Sequence, residues 1–459
     1  MKTLRHQMDV GTMSRYQWGT SALCVLLNII DGFDILIVAY TATSLTADWG
    51  LSGTQIGVLL SSGLFGMAAG TMLLSPLADK IGRRPLLLFC VALAGLGMLA
   101  AAAAPNFLVL AVIRVITGLG MGGIIVSAGV IASEFSSKRW RGLAVSINSA
   151  GYAFGAVVGG LAAVWLLSFT TWRGVFVFGA VLTLATFVVL VFRMPESVDY
   201  LQMGRSRDAL TRINTLALKM GKDPVQSLEP AQSSSAQGKT RVISLLTSAK
   251  YRTPTIFMCL AFFLLMAGYY FVQSWTPSLL VDSGYSEAQG NLGGTVLNIG
   301  GMVGAVGVGV ILARFPLKNV LVTAFIVTTL LMASFALLPT GLVTAFIISA
   351  LIGMAACSSM AGLYALATGA YEAGVRSTAV GLGVTVGRFG AIVAPAVAGG
   401  LVDLNWGSAG LYLLMAPTFL IAGLAVTMIR LQVKDATDDS PAAAESSPHV
   451  EPARVESDH

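Results

Sequence analysis

Residues 18–42 read WGTSALCVLLNIIDGFDILIVAYTA. A helix needs roughly 20 mostly apolar residues to cross a bilayer's hydrocarbon core, and this run has them, yet Asp31 and Asp34 lie near its middle. A cleaved signal peptide is shorter and has no acids in its apolar core, so the run reads as a retained membrane span. Similar runs recur at roughly 55–77, 86–104, 107–132, 143–167, 173–193, 254–280, 291–312, 320–338, 342–367, 378–402 and 408–430, each near the bilayer-crossing length. The pattern predicts an all-α, multi-pass membrane protein with twelve transmembrane helices.

Composition agrees with that solvent. Charged residues are 11% of the 459, hydrophobic residues are 55%, and glycine alone supplies 51; soluble domains carry ~25% charge. Twenty-eight Lys and Arg with 22 Asp and Glu cannot cover a soluble core of this size. An ordinary soluble enzyme, a collagen-like fibre and a disordered chain are excluded. Cys24, Cys90, Cys259 and Cys357 are far apart, each inside an apolar run, and read as small buried hydrophobes rather than a disulfide framework or metal site. The three histidines, His6, His449 and His459, lie near the termini, which leaves none inside the membrane for catalysis or a metal cage. The net charge of +6 would suggest nucleic acid in a soluble chain; here the retention of Lys and Arg on the cytoplasmic side accounts for it, and no nucleic-acid partner is expected.

The basic residues orient the chain. With both termini in the cytoplasm, 25 of the 28 fall in cytoplasmic segments; Arg173 lies in an outer loop, and Arg114 and Arg388 lie within spans. That bias predicts an N-in, C-in topology. The expected organisation is a cytoplasmic N-terminus over 1–17, a six-helix bundle over 18–193, a cytoplasmic linker over 194–253, a second six-helix bundle over 254–430 and a tail over 431–459. The tail carries seven acidic residues with Pro and Ser, a composition that predicts disorder.

The halves echo one another. The turn between spans 2 and 3 reads Pro76-Leu-Ala-Asp79-Lys-Ile-Gly82-Arg83-Arg84-Pro85, and that between spans 8 and 9 reads Leu312-Ala-Arg314-Phe-Pro-Leu-Lys318. Six spans twice over, with a central cytoplasmic loop, is the duplicated plan of a large class of secondary transporters. At these residues the sequence resembles the major facilitator superfamily. Asp79, Gly82, Arg83 and Arg84 look like its 2–3 loop signature, with Ser75 where the family has a leading Gly, and Arg114-x-x-x-Gly118-x-Gly120 is similar to its fourth-helix motif. Span 5 carries Gly151-x-x-x-Gly155-x-x-x-Gly159-Gly160, a close-packing pattern of membrane helices. More narrowly, Asp31-Gly32-Phe33-Asp34 resembles the D-G-[YF]-D element of the aromatic acid/proton symporters. Pro195-Glu196-Ser197, Trp275-Thr-Pro277 and Arg376 with Gly387-Arg388-Phe-Gly390 extend that likeness. The resemblance implies two pseudo-symmetric bundles in a bacterial-type cytoplasmic (inner) membrane, importing benzoate-type acids such as hydroxybenzoates and protocatechuate. It implies no enzyme activity and no cofactor beyond the proton as coupling ion.

The residues support this chemistry independently. Asp31 and Asp34 share a helix face and lie roughly 15–20 Å along span 1 at ~1.5 Å per residue. A charged carboxylate at that depth costs at least ~2.5–3.5 kcal/mol facing lipid, so both are expected to face a central cavity as proton carriers; a structural hydrogen-bond pair is the plainer alternative. Arg388, also near mid-membrane, cannot shed its proton and needs an anion. It either pairs with a span-1 Asp or forks onto a substrate carboxylate. Arg114 is a second anion contact, a partner for Asp31 or Asp34, or one side of a buried helix-to-helix salt bridge. Aromatic acids need flat apolar walls; Phe65, Tyr152, Tyr269, Tyr270, Gln273, Trp275, Asn298 and Tyr364 are the candidates for lining the cavity. Glu134 is expected in a cytoplasmic network with Arg83 or Arg141. Asp79, capping another helix, would form a cytoplasmic latch with Gly82, Arg83, Arg84 and Arg376.

Gly118-Leu-Gly120-Met-Gly-Gly123 matches a dinucleotide fingerprint in letters only, since a nucleotide site requires a preceding strand; inside an apolar helix it reads as packing. No G-x-x-x-x-G-K-[ST] occurs, which argues against an ATP-driven pump. The leading expectation is a monomeric aromatic acid/proton symporter working by alternating access. Alternatives are a carrier of a sugar acid or other non-aromatic organic anion, a drug/proton antiporter, and a non-transporting sensor on the same fold.

Overall fold

The computed structural model describes residues 4–203, 208–226, 248–337 and 341–429. The tail expected over 431–459 and the middle of the 194–253 linker lie outside these described residues. Among them, twelve helices are long and apolar enough to cross a membrane. In the first half, spans 1 to 6 are Arg15–Trp49, Gly53–Ile81, Arg83–Ala102, Phe107–Glu134, Arg141–Leu167 and Trp172–Arg193. In the second, spans 7 to 12 are Ala249–Asp282, Glu287–Leu312, Leu317–Leu337, Leu342–Gly369, Ala373–Asp403 and Ser408–Thr427. Short helices Leu4–Val10, Val198–Gln202 and Ala209–Lys219 lie outside the spans.

Polar caps satisfy the first-turn N–H groups of several spans. Ser14 with Gln17, Ser52 with Gln55, and Ser286 with Gln289 each close a reciprocal capping box. Two of these boxes are one repeated element. Gly50-Leu-Ser52-Gly-Thr-Gln55 opens span 2 and Gly284-Tyr-Ser286-Glu-Ala-Gln289 opens span 8, with Gly50 and Gly284 both at positive φ (62° and 97°), where a side chain would be strained. This repeat is a stronger internal echo than the 2–3 and 8–9 turns.

Packing repeats with a shift of six spans. Spans 2 and 4, 1 and 5, and 3 and 6 pair in the first half, as 8 and 10, 7 and 11, and 9 and 12 do in the second. Across the halves, span 2 packs on span 11 and span 8 on span 5, again one contact repeated. The protein is therefore two pseudo-symmetric six-helix bundles. The bundles are tied at the end carrying the 50–52 turn, where Asp403 of span 11 accepts from the backbone N–H of Gly53 and Thr54 (2.6 and 2.8 Å). Ser44 donates to Glu287 (2.5 Å) and Ser61 to the Ile392 carbonyl (2.6 Å).

The span-5 glycines set the close approach that positions the site. A Cβ at Gly155 would strike the Ile29 carbonyl, and one at Gly32 the carbonyl of Tyr152. Span 1 therefore lies backbone to backbone on span 5 at the Asp31–Asp34 turn. In the same way, Gly118 abuts Gly63 of span 2 and Gly120 the Cys90 carbonyl of span 3, so the fingerprint-like run is helix packing.

Candidate functional site

Span 1 turns both acids away from lipid: Asp31 is 2% and Asp34 1% exposed. Their partners differ. Asp34 Oδ1 accepts from Arg114 Nη1 at 2.6 Å, and Arg114 Nη2 donates to the Asp34 carbonyl at 2.9 Å. Arg114 itself is 2% exposed and passes close to Gly63, where a Cβ would stand 2.9 Å from Nη2. Of the alternatives open for Arg114 from sequence, the structure takes the salt bridge to Asp34, and Arg114 is not among the cavity-lining residues. Asp31 Oδ1, by contrast, is buried without a hydrogen-bond partner among the described residues.

A cavity of about 220 Å³ lies between the bundles, lined by Leu64, Tyr152, Met266, Tyr269, Tyr270, Met360, Tyr364, Val384, Arg388 and Ala391. It draws on spans 2, 5, 7, 10 and 11, hence on both halves. Arg388 is half-buried there and its Nη1 rests 3.0 Å from Met67 Sδ. Among the described residues it has no carboxylate in salt-bridge range; the ion pairs formed are those of other cations. Arg388 acts electrostatically on Asp31, Tyr270 and Tyr364. The cavity thus has one unpaired cation, a carboxylate within its field, and walls of aromatic rings and methionine.

Four of the eight expected lining residues, Tyr152, Tyr269, Tyr270 and Tyr364, are at the cavity. Gln273 stands one turn behind, donating Nε2 to Tyr269 Oη at 2.8 Å. The other three are elsewhere. Phe65 is 55% exposed because the glycine edge at 63, 66 and 70 faces span 4, a rotation that brings Leu64 rather than Phe65 inward. Trp275 is buried against span 11, its Nε1 donating to the Pro395 carbonyl at 3.1 Å. Asn298 serves the interface between halves, donating to the Gly294 carbonyl (2.9 Å) and to Tyr40 Oη (3.4 Å). The apolar lining residues Leu64, Met266, Met360, Val384 and Ala391 carry no chemical signal in the sequence.

At the N-terminal end, Glu134 is 1% exposed and forms an ion pair with Arg83. Its Oε2 accepts from Ser197 Oγ (2.7 Å) and the Val198 N–H (3.1 Å). Arg83 also lies 3.7 Å from Asp79, whose side chain is 60% exposed. Arg141 pairs with Asp9 of the N-terminal helix instead of Glu134. The anion that caps span 3 is Glu196, whose Oε1 accepts from the N–H groups of Arg83 and Arg84 (2.9 and 3.0 Å), a favourable place for negative charge. From sequence, Asp79 is the acid expected to cap another helix, that helix left open, and Glu196 has no such role. Gly82, at φ 102°, lets the chain turn beside it: a Cβ there would stand 2.8 Å from Glu196 Oε2. Glu196→Ala is expected to cost about 1–2 kcal/mol, read as a melting temperature lowered by a few degrees in detergent; an unchanged melting curve would remove the cap from the argument. Arg376 lies apart from this network, exposed, with its Nε 3.3 Å from the Tyr371 carbonyl. Nearby, the Glu372 carboxyl is held below its ordinary range by the hydrogen bond from Lys250 Nζ.

The sequence profile of the Major Facilitator Superfamily matches residues 22–349 and 309–455. A gallate transporter from Pseudomonas putida is 31% identical over 419 residues, 91% of this chain and 93% of that protein. The 4-hydroxybenzoate transporter PcaK from Pseudomonas aeruginosa is 31% identical over 86% of this chain and 88% of its own length. Among solved structures, the inward-open xylose transporter XylE from E. coli superposes with a TM-score of 0.72 at 17% identity, covering 92% of this chain and 98% of that one; at that identity the likeness speaks for the fold alone.

Proposed function

The chain belongs to the Major Facilitator Superfamily, and from that premise we propose that it imports a small aromatic carboxylate together with protons by alternating access. It is a multi-pass membrane transporter of bacterial inner-membrane type, not an enzyme, related to transporters of gallate and 4-hydroxybenzoate. The observation that carries the substrate reading is Arg388: a guanidinium at the aromatic cavity with no carboxylate paired to it among the described residues. A substrate carboxylate supplies the missing anion and can accept two parallel hydrogen bonds from the guanidinium fork. The cavity volume, about 220 Å³, lies below the ~300–1,000 Å³ of pockets for drug-sized ligands and suits a single-ring acid. Tyrosine rings and methionine side chains give that ring flat and polarizable walls.

In this proposal Asp31 carries the proton. Its Oδ1 is buried without a hydrogen-bond partner among the described residues and it lies in the field of Arg388, so substrate charge and proton occupancy are felt at the same place. Asp34 is committed to Arg114 and holds span 4 to span 1. With the N-in, C-in topology that the basic residues favour, the Glu134–Arg83 network lies on the cytoplasmic side, where it would steady the first bundle as the two bundles rock.

The test is radiolabelled uptake into proteoliposomes with an imposed pH gradient, across benzoates, sugar acids and organic cations. An acid outside lumen is expected to drive accumulation of benzoates above equilibrium. Asp31→Asn is expected to remove the response to the gradient while exchange of labelled for unlabelled substrate persists. Accumulation of cations or sugar acids but not benzoates would overturn the substrate reading. A full gradient response in Asp31→Asn would overturn the proton assignment.

A further inference from the structure

A second cavity, of about 470 Å³, lies where span 1 begins and span 6 ends. Its rim and its floor differ in chemistry. At the rim stand Arg15, the first residue of span 1, and Arg193, the last of span 6. Below them the walls are Gly19 and Leu23 on one side and Val188 and Phe192 on the other, a groove running roughly 12 Å along span 1 at ~1.5 Å per residue. Val188 and Phe192 are exposed on a membrane-crossing helix, so the groove opens sideways to lipid. Gly19 keeps it open: a Cβ there would meet nothing within 4 Å. The Thr20 hydroxyl is spent on the Tyr16 carbonyl (3.0 Å), which leaves the deeper walls apolar. Neither arginine has a carboxylate in salt-bridge range among the described residues. Lys219 adds a third cation, its Nζ 6.0 Å from the centroid of the Tyr16 ring, and no acid lines the cavity. Retention of basic residues on the cytoplasmic side explains why they end these helices. It does not explain why these two stay unpaired, when Arg83, Arg141 and Lys250 at comparable helix ends each pair with an acid.

We propose that this groove binds one anionic glycerophospholipid, its phosphodiester held between Arg15 and Arg193 and one acyl chain laid along Gly19, Leu23, Val188 and Phe192. Guanidinium groups match phosphate oxygens with paired hydrogen bonds, and basic pockets between membrane helices take anionic headgroups. A headgroup with net negative charge fits better than a zwitterionic one, because three cations surround the rim and no acid lines it to receive an ammonium. The acyl chain contributes by van der Waals packing, since in a bilayer it leaves other hydrocarbon rather than water. A soluble phosphate would touch only the rim and leave the apolar groove unfilled. In the N-in topology that the basic residues favour, the lipid belongs to the cytoplasmic leaflet. The site is separate from the cavity between the bundles and does not depend on which acid is carried there.

The test is native mass spectrometry of the purified protein, counting adducts of phosphatidylglycerol and of phosphatidylcholine with the same acyl chains. The wild type is expected to hold one phosphatidylglycerol about tenfold or more tighter than phosphatidylcholine, since each basic residue near a lipid surface is worth a factor of about five. Arg15→Gln and Arg193→Gln should each lower phosphatidylglycerol affinity about fivefold, and the double variant should bring the two lipids within about twofold of each other. Gly19→Leu fills the groove and removes no charge, so it should weaken both lipids about threefold or more and keep their ratio. For any variant too scarce for spectrometry, the rise in melting temperature on adding each lipid gives the same comparison. Equal affinity for the two lipids in the wild type, or a preference that survives the loss of both arginines, overturns the headgroup site. Unchanged binding in Gly19→Leu overturns the placement of the acyl chain. Displacement of the lipid by inorganic phosphate or glycerol 3-phosphate would give the rim to a soluble phosphate, and a dimer lost in Gly19→Leu would give the groove to a second copy of the chain; either result overturns the lipid assignment.

Discussion

Arg388→Gln is expected to lower kcat/KM for uptake of a benzoate-type acid at least about 100-fold. Removing one partner of a buried, hydrogen-bonded charge pair costs about 2–5 kcal/mol, and ~2.7 kcal/mol already corresponds to a factor of 100. The loss should appear in substrate binding as well as in transport, because the guanidinium meets the carboxylate before the carrier moves. Membrane insertion and melting temperature should stay near wild type. Arg388 is paired with no carboxylate among the described residues, so its removal breaks no ion pair; what it gives up inside the protein is a contact with Met67 Sδ and its field at Asp31. Arg388→Lys keeps the charge but loses the planar fork, and about a tenfold loss is expected, between wild type and Gln. Uptake by Arg388→Gln within about threefold of wild type would exclude a carboxylate clamp at this position.

The spans were largely legible in the sequence because the signal is long and simple; their pairing was not. Apolar runs set by bilayer thickness mark the helices, and glycines at four-residue spacing mark span 5 as a close-packing helix, but that its partner is span 1, with Gly155 against the Ile29 carbonyl, is seen only in the folded chain. Helix rotation was the harder quantity. Leu64 and Phe65 are adjacent and both apolar, and only the contact of Gly63, Gly66 and Gly70 with span 4 decides which enters the cavity. Trp275 and Asn298 show the same limit from another side: Trp275 donates to the distant Pro395 carbonyl, and Asn298 divides its amide between the Gly294 carbonyl one turn back and the distant Tyr40 hydroxyl. Two intramembrane arginines look alike in sequence, yet one is neutralised by Asp34 and the other faces a cavity, because span 4 packs on span 1 while span 11 reaches the interface between bundles. Glu196 was visible within Pro195-Glu196-Ser197, but its capping of span 3 depends on a fold that returns the end of span 6 to the start of span 3, a pair of helices that pack together.

That difference between the arginines gives the second large effect, on stability rather than on affinity. Arg114→Gln leaves Asp34 as a carboxylate 1% exposed without its counter-charge, and Asp34→Asn leaves the Arg114 guanidinium equally stranded. Breaking a buried ion pair from one side costs about 3–5 kcal/mol, a large part of the ~5–15 kcal/mol by which a folded protein is stable. Both single variants are therefore expected to give much less folded protein and a clearly lowered melting temperature in detergent. The double variant, Arg114→Gln with Asp34→Asn, removes both charges and puts two neutral amides where the pair was. It should recover at least about 2 kcal/mol of the combined single losses, the size of coupling seen between residues in direct contact. Loss in both singles with recovery in the double is the signature of a pair whose members stabilise each other, and it separates Arg114 from Arg388, where the Gln variant should fold and fail to bind. Additive losses in the double variant, or an Arg114→Gln protein as stable as wild type, would break the assignment of this ion pair as the tie between spans 1 and 4.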